Sequence, residues 1–93
     1  MNKDLTGQEK EILAILGEEC AELTQTCSKI LREGNRPDLV ANFNEEIADI
    51  KVMLDLADSS GLITEDHHRL YQKKVNYYSR LFSEGNIDEE DER

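Results

Sequence analysis

Apolar residues recur along this chain at steps of three and four, the spacing of one buried stripe on a helix, and nowhere alternate as a half-buried strand requires. The first run carries Ile12, Leu13, Leu16, Cys20, Leu23, Cys27, Ile30 and Leu31, which predicts a helix from about Gln8 to Arg32. Gly34 supplies a stop, and Asn35-Arg36-Pro37-Asp38 reads as loop. A second run, from about Leu39 to Ser59, places Leu39, Val40, Phe43, Ile47, Ile50, Val52, Met53, Leu54, Leu56 and Ala57 on helical spacing. Ser59-Ser60-Gly61 ends it. Thr64 is a good N-cap for a third helix to about Phe82, with Leu70, Val75, Tyr77, Tyr78, Leu81 and Phe82 as its apolar residues. The expected class is all-α: one three-helix domain over residues 1–83, then an acidic, flexible tail over 84–93.

Helix length sets a second constraint. About 24 residues of helix span about 36 Å, more than a three-helix monomer this small can cover. With aromatics at 5% and no Trp, the core must come from Leu, Ile and Val, and a short chain buries little of its surface alone. The simplest remedy is a homodimer or homotetramer, with the protomers forming an oligomeric bundle of the four-helix type.

Charge and cysteine usage narrow the setting. A net charge of −10 argues against nucleic acid as a partner, because phosphate backbones are held by Lys and Arg. It leaves open a small polyphosphate that arrives with its own divalent cations. Cys20 and Cys27 lie seven residues apart on one helix, roughly 10 Å, too far for a disulfide, and read as small core residues in a reducing compartment. No signal peptide is expected, and no run approaches a membrane span of about 18 apolar residues. The expected setting is therefore cytoplasmic, with no membrane partner.

The chemistry lies in the acids. On a wheel of about 100° per residue, Glu19 borders the apolar stripe of the first helix, and Glu22 is its neighbour one turn on. Glu46 and Asp49 repeat this spacing on the second helix, between Ile50 and Met53 on one side and Val52 and Leu56 on the other. Ionised carboxylates beside a core are costly unless something positive compensates them, and Lys51 lies on another side of that helix. Packed antiparallel, the two helices can bring Glu19, Glu22, Glu46 and Asp49 to one point. An all-oxygen set without His or thiolate favours Mg²⁺ or Mn²⁺ over Zn²⁺.

Glu18-Glu19-Cys20-Ala21-Glu22 followed by Glu46-Ile47-Ala48-Asp49 resembles the E-E-x-x-E … E-x-x-D signature of the MazG-like, all-α nucleoside triphosphate pyrophosphohydrolases. The resemblance runs from Ile12 to about Leu56 and, over Gly17–Arg32, is similar to short phage-type members. It implies a bacterial cell or phage-infected host, and a Mg²⁺-dependent split of a nucleoside triphosphate into monophosphate and pyrophosphate. Glu19, Glu22, Glu46 and Asp49 would be the metal ligands. Glu18, or less favourably Glu45, would orient or deprotonate the attacking water. The family places Lys, Asn and a further base on the following helix to hold phosphates. Lys73, Lys74, Asn76 and Arg80 are available there at a spacing that departs from the family's, with Lys74 and Asn76 the preferred pair. Lys29, two turns beyond Glu22, is a further phosphate candidate, and Asn42, one turn before Glu46, a nucleotide contact. No motif reads the base.

Three rival readings share some of these residues. A di-iron bundle would use Glu65-Asp66-His67-His68, yet Glu65 falls in a first helical turn, where Glu is ordinary dipole chemistry. A non-enzymatic acidic interaction module suits the tail, but it would display its charge outward. A phosphoribosyl-ATP pyrophosphohydrolase shares the helical carboxylate scheme and differs in substrate.

Overall fold

The computed structural model describes residues 4–83. These form α1 (Gly7–Glu33), α2 (Pro37–Ser59) and α3 (Glu65–Ser83), with no strand among the described residues. The chain divides into two compact units, one ending at Leu62 and the other beginning at Ile63. The expected acidic tail lies outside the described residues.

The first unit is a helical hairpin. Thr6 starts α1 with a reciprocal cap: its hydroxyl accepts the Glu9 amide at 3.0 Å, while the Glu9 carboxylate accepts the Thr6 amide at 2.9 Å. Such a box satisfies two otherwise orphaned donors and is worth about 1 kcal/mol. Gly34 ends the helix at φ 91°, a conformation that disfavours any side chain, and its amide donates to Ile30 O at 2.8 Å. Pro37, expected in the loop, is the first residue of α2. A proline suits that position because its missing N–H would have no helical acceptor there. Only Gly34, Asn35 and Arg36 separate the two helices, so α2 must run back antiparallel along α1, against which it packs.

Arg36 clasps this turn. Its guanidinium donates twice to Asp38, Nε to Oδ1 at 3.1 Å and Nη2 to Oδ2 at 2.7 Å, and once to Glu33. The Arg36 hydrogen bond holds the Asp38 carboxyl below its ordinary value. All three side chains are solvated, so the clasp orders the turn more than it stabilises the fold. At the far end of α2, the Gly61 amide donates to Asp58 O at 3.1 Å and the Leu62 amide to Ala57 O at 3.0 Å. This Schellman closure uses Gly61 at φ 90°.

The hairpin buries little. Ile12 (4% exposed) and Ala57 (4%) near the open end, and Leu39 (5%) near the turn, are the only buried residues described. Leu16, Leu23, Ile30, Phe43, Ile47, Ile50 and Met53 are half-buried. Two helices can cover only one stripe on each other, so several residues expected inside lie outside. Cys20 is exposed, Cys27 is half-buried, and both thiols are free. Leu13, Leu31, Val52, Leu54 and Leu56 are exposed as well.

The second unit is α3, which begins directly after Thr64, with the His67 amide donating to Thr64 O at 2.9 Å. None of its residues is buried, and Leu70, Tyr71, Val75, Tyr77, Tyr78 and Phe82 are exposed. His67 and His68 are on the surface, as expected, with the His67 ring 5.8 Å from that of Tyr71. No described helix is long and apolar enough to cross a membrane.

Candidate metal centre

Antiparallel packing places the middle of α1 beside the middle of α2, and three of the expected carboxylates meet there. One oxygen from each of Glu19, Glu22 and Glu46 lies within 4.8 Å of the others. The i, i+3 spacing on α1 puts Glu19 and Glu22 one turn apart on one face, and Glu46 reaches them from the facing helix. Glu19 and Glu46 are half-buried, while Glu22 opens to solvent.

Three carboxylates this close repel one another when all are ionised. One oxygen of Glu19 and one of Glu46 (Oε1 in each) are shielded from solvent and have no hydrogen-bond partner. Two ionised carboxylates cannot donate to each other, so their contact becomes a hydrogen bond only when they share a proton. That sharing with Glu19, then loss of surrounding water, then the Glu22 carboxylate, push the Glu46 carboxyl from 4.5 up to about 7. No Lys or Arg is paired with any of the three acids among the described residues; the ion pairs join Arg32 and Arg36 to Glu33, Arg36 to Asp38, and Arg69 to Asp66.

A divalent cation fits the donor set. Oxygen ligands on Mg²⁺ stand at about 2.1 Å, so two ligands of one ion lie no more than about 4.2 Å apart. The observed 4.8 Å bound is close enough for small side-chain rotations to close. Carboxylate oxygens alone select hard ions of the Mg²⁺ and Mn²⁺ kind.

Asp49, the fourth expected ligand, is exposed one turn beyond Glu46 and lies outside the close group of three. Glu18 is exposed next to Glu19, and Glu45 next to Glu46. Lys29 and Asn42 are exposed on the hairpin, free to meet a ligand but not gathered with the carboxylates by any described contact. Lys74 and Asn76 belong to α3, where the Asn76 side-chain oxygen accepts Gln72 Nε2 at 3.2 Å. Glu65, His67 and His68 join no metal-competent group among the described residues.

A notch of about 220 Å³ on α3 is lined by Leu70, Lys73, Lys74 and Tyr77. Leu70 and Tyr77 were expected as core, and the i, i+3, i+4, i+7 spacing that makes the notch is identical to that of a buried stripe. No protein-family model, curated protein or solved structure matches this chain.

Proposed function

We propose that this chain is a Mg²⁺-dependent nucleoside triphosphate pyrophosphohydrolase of the MazG-like kind, converting (d)NTP and water to (d)NMP and pyrophosphate. The observation that carries this reading is the pair of shielded, partnerless carboxylate oxygens of Glu19 and Glu46, with Glu22 beside them. Two such oxygens are costly to bury empty, and a bound cation removes the cost.

In this reading Glu19, Glu22 and Glu46 hold the ion, with Asp49 as the fourth ligand one turn along α2. Mn²⁺ substitutes for Mg²⁺. Bound there, the divalent ion supplies charge neutralisation on the phosphates and a lowered pKa for the attacking water. Glu18, beside the ligands and open to solvent, accepts the proton as the water attacks phosphorus, working with Glu19. Lys29 and Lys74 offset charge on the phosphates, and Asn42 and Asn76 supply neutral hydrogen bonds to the nucleotide. The working unit is a homodimer or homotetramer in the cytoplasm of a bacterial cell or phage-infected host.

The test is incubation with a panel of NTPs and dNTPs plus Mg²⁺ or Mn²⁺, scoring pyrophosphate against orthophosphate. Pyrophosphate and monophosphate in equal amounts are expected, with loss of turnover in Glu46→Gln. Orthophosphate alone would contradict the reaction. Turnover that survives Glu46→Gln would contradict the site.

A further inference from the structure

The side of the hairpin that carries the acids changes character along its length. On wheels of about 100° per residue, with the buried Ile12 at zero on α1 and the buried Leu39 at zero on α2, Glu19, Glu22, Glu46 and Asp49 all lie between about 280° and 340°. The helices run antiparallel, so equal rotations lead to the same side of their contact. Toward the open end, that side carries Ile15 near about 300°, Met53 near about 320° and Leu56 near about 260°. Ile15 stands one turn from Glu19 and Met53 one turn from Asp49, both half-buried, while Leu56 is 40% exposed. Toward the turn, the same side carries Thr26, Lys29 and Asn42 instead. Lys29 is the one Lys or Arg of the two helices there, exposed and outside every ion pair described. Glu11, exposed near about 260°, adds a negative charge at the open end.

We propose that Ile15, Met53 and Leu56 form the seat of the nucleobase, held by its faces and not by its hydrogen-bonding edges, so that the substrate class is nucleoside triphosphates irrespective of base. This placement rests on the pyrophosphohydrolase reading and adds the direction in which the substrate lies. Phosphates drawn to a cation at the acids extend toward Lys29 and away from Glu11. The nucleoside then falls on the open-end side, within one helical turn of the ligands, about 5.4 Å along the axis. The three side chains there offer carbon and one thioether, which remove a flat base from water without a strong donor or acceptor for its edge. The Thr26 hydroxyl lies on the turn side and already donates to Glu22 O at 3.1 Å. Sharp discrimination needs polar groups that the wrong substrate leaves unpaired, whereas an apolar surface separates neighbours by about 10–200-fold per methylene.

The experiment measures kcat/KM with Mg²⁺ for the four dNTPs and for base-less deoxyribose 5′-triphosphate, on the full chain and on three variants. The four bases are expected to agree within about tenfold, and the base-less compound to fall at least about tenfold below them. Ile15→Ser and Leu56→Ser are each expected to shrink that base-dependent ratio at least about threefold, while Leu54→Ser, 41% exposed on the opposite side of the contact, keeps it. A ratio taken within one protein does not move with the folded fraction, so a partly unfolded variant still reads. Selectivity above about 100-fold among the bases, or a base-less compound turned over as well as the dNTPs, would overturn the seat and leave the hydrolase standing. A ratio unmoved by both variants would do the same, since protein then covers the patch. Should a variant lose its helical circular dichroism altogether, the base-less comparison on the unmodified chain decides. No turnover of any triphosphate by the unmodified chain would overturn the hydrolase reading and the seat with it.

Discussion

Truncating Ile12 tests whether the hairpin is held as described. Its side chain is 4% exposed, at the open end, and only Leu39 and Ala57 are comparably buried among the described residues. Ile12→Ala removes buried carbon and leaves a space that two helices can close only in part, a change that costs 2–5 kcal/mol in well-packed cores, so about 2–3 kcal/mol is expected in this thin one. At about 4–8 °C per kcal/mol for a domain of this size, the midpoint should fall by at least about 10 °C. Leu31→Ala is the matched control. That side chain is 87% exposed near the turn, and alanine is the better helix former, so the change should lie within about 0.5 kcal/mol of zero. Urea and thermal unfolding followed by circular dichroism, at one fixed protein concentration, read both positions. Equal losses at the two positions, or a loss under about 0.5 kcal/mol for Ile12→Ala, would refute the described packing of α1 on α2.

The remaining predictions concern charge and backbone. Glu46 binds its proton more tightly in the folded chain than its ordinary 4.5. Its contribution to metal-free stability is therefore complete below about pH 4.5 and lost as pH rises through about 7. Thermal unfolding in chelator at pH 5 and pH 8 should show this fall, and Glu46→Gln should flatten it; a wild-type slope in the variant would contradict the assignment. A Cβ added at Gly17 in the middle of α1 meets nothing within 4 Å, so Gly17→Ala should stabilise by about 0.5–1 kcal/mol in the same urea assay. Gly34→Ala, at φ 91°, should destabilise instead, and the same sign at both glycines would contradict one of the two backbone assignments.

The helices were legible because their stripes, stops and turn residues all agree, from Ile12 to Ile30 and from Leu39 to Ala57. The start of α2 was misplaced by two residues, since Pro37 reads as loop by composition and as a first helical residue only once its neighbours are seen to be helical. Three of the four acids were brought together because i, i+3 spacing on antiparallel helices leaves little choice. The exposed position of Asp49 was not legible, because a wheel gives angle but not how far the facing helix extends around it. The same limit explains Cys20, Val52 and Leu56, which lie on the expected apolar arcs yet outside the strip that one partner helix covers. The Arg36 clasp depends on side-chain rotamers at a three-residue turn, which spacing does not encode.

The proposed cation site is the group Glu19, Glu22 and Glu46. Titrating the metal-free chain with Mn²⁺, with the free ion read by electron paramagnetic resonance, tests it without any assumption about substrate. Saturable binding is expected, displaced by Mg²⁺ and weakened at least about tenfold in Glu46→Gln, which removes one charged ligand. Mn²⁺ that stays free throughout, or that binds Glu46→Gln as tightly as the unmodified chain, would contradict it.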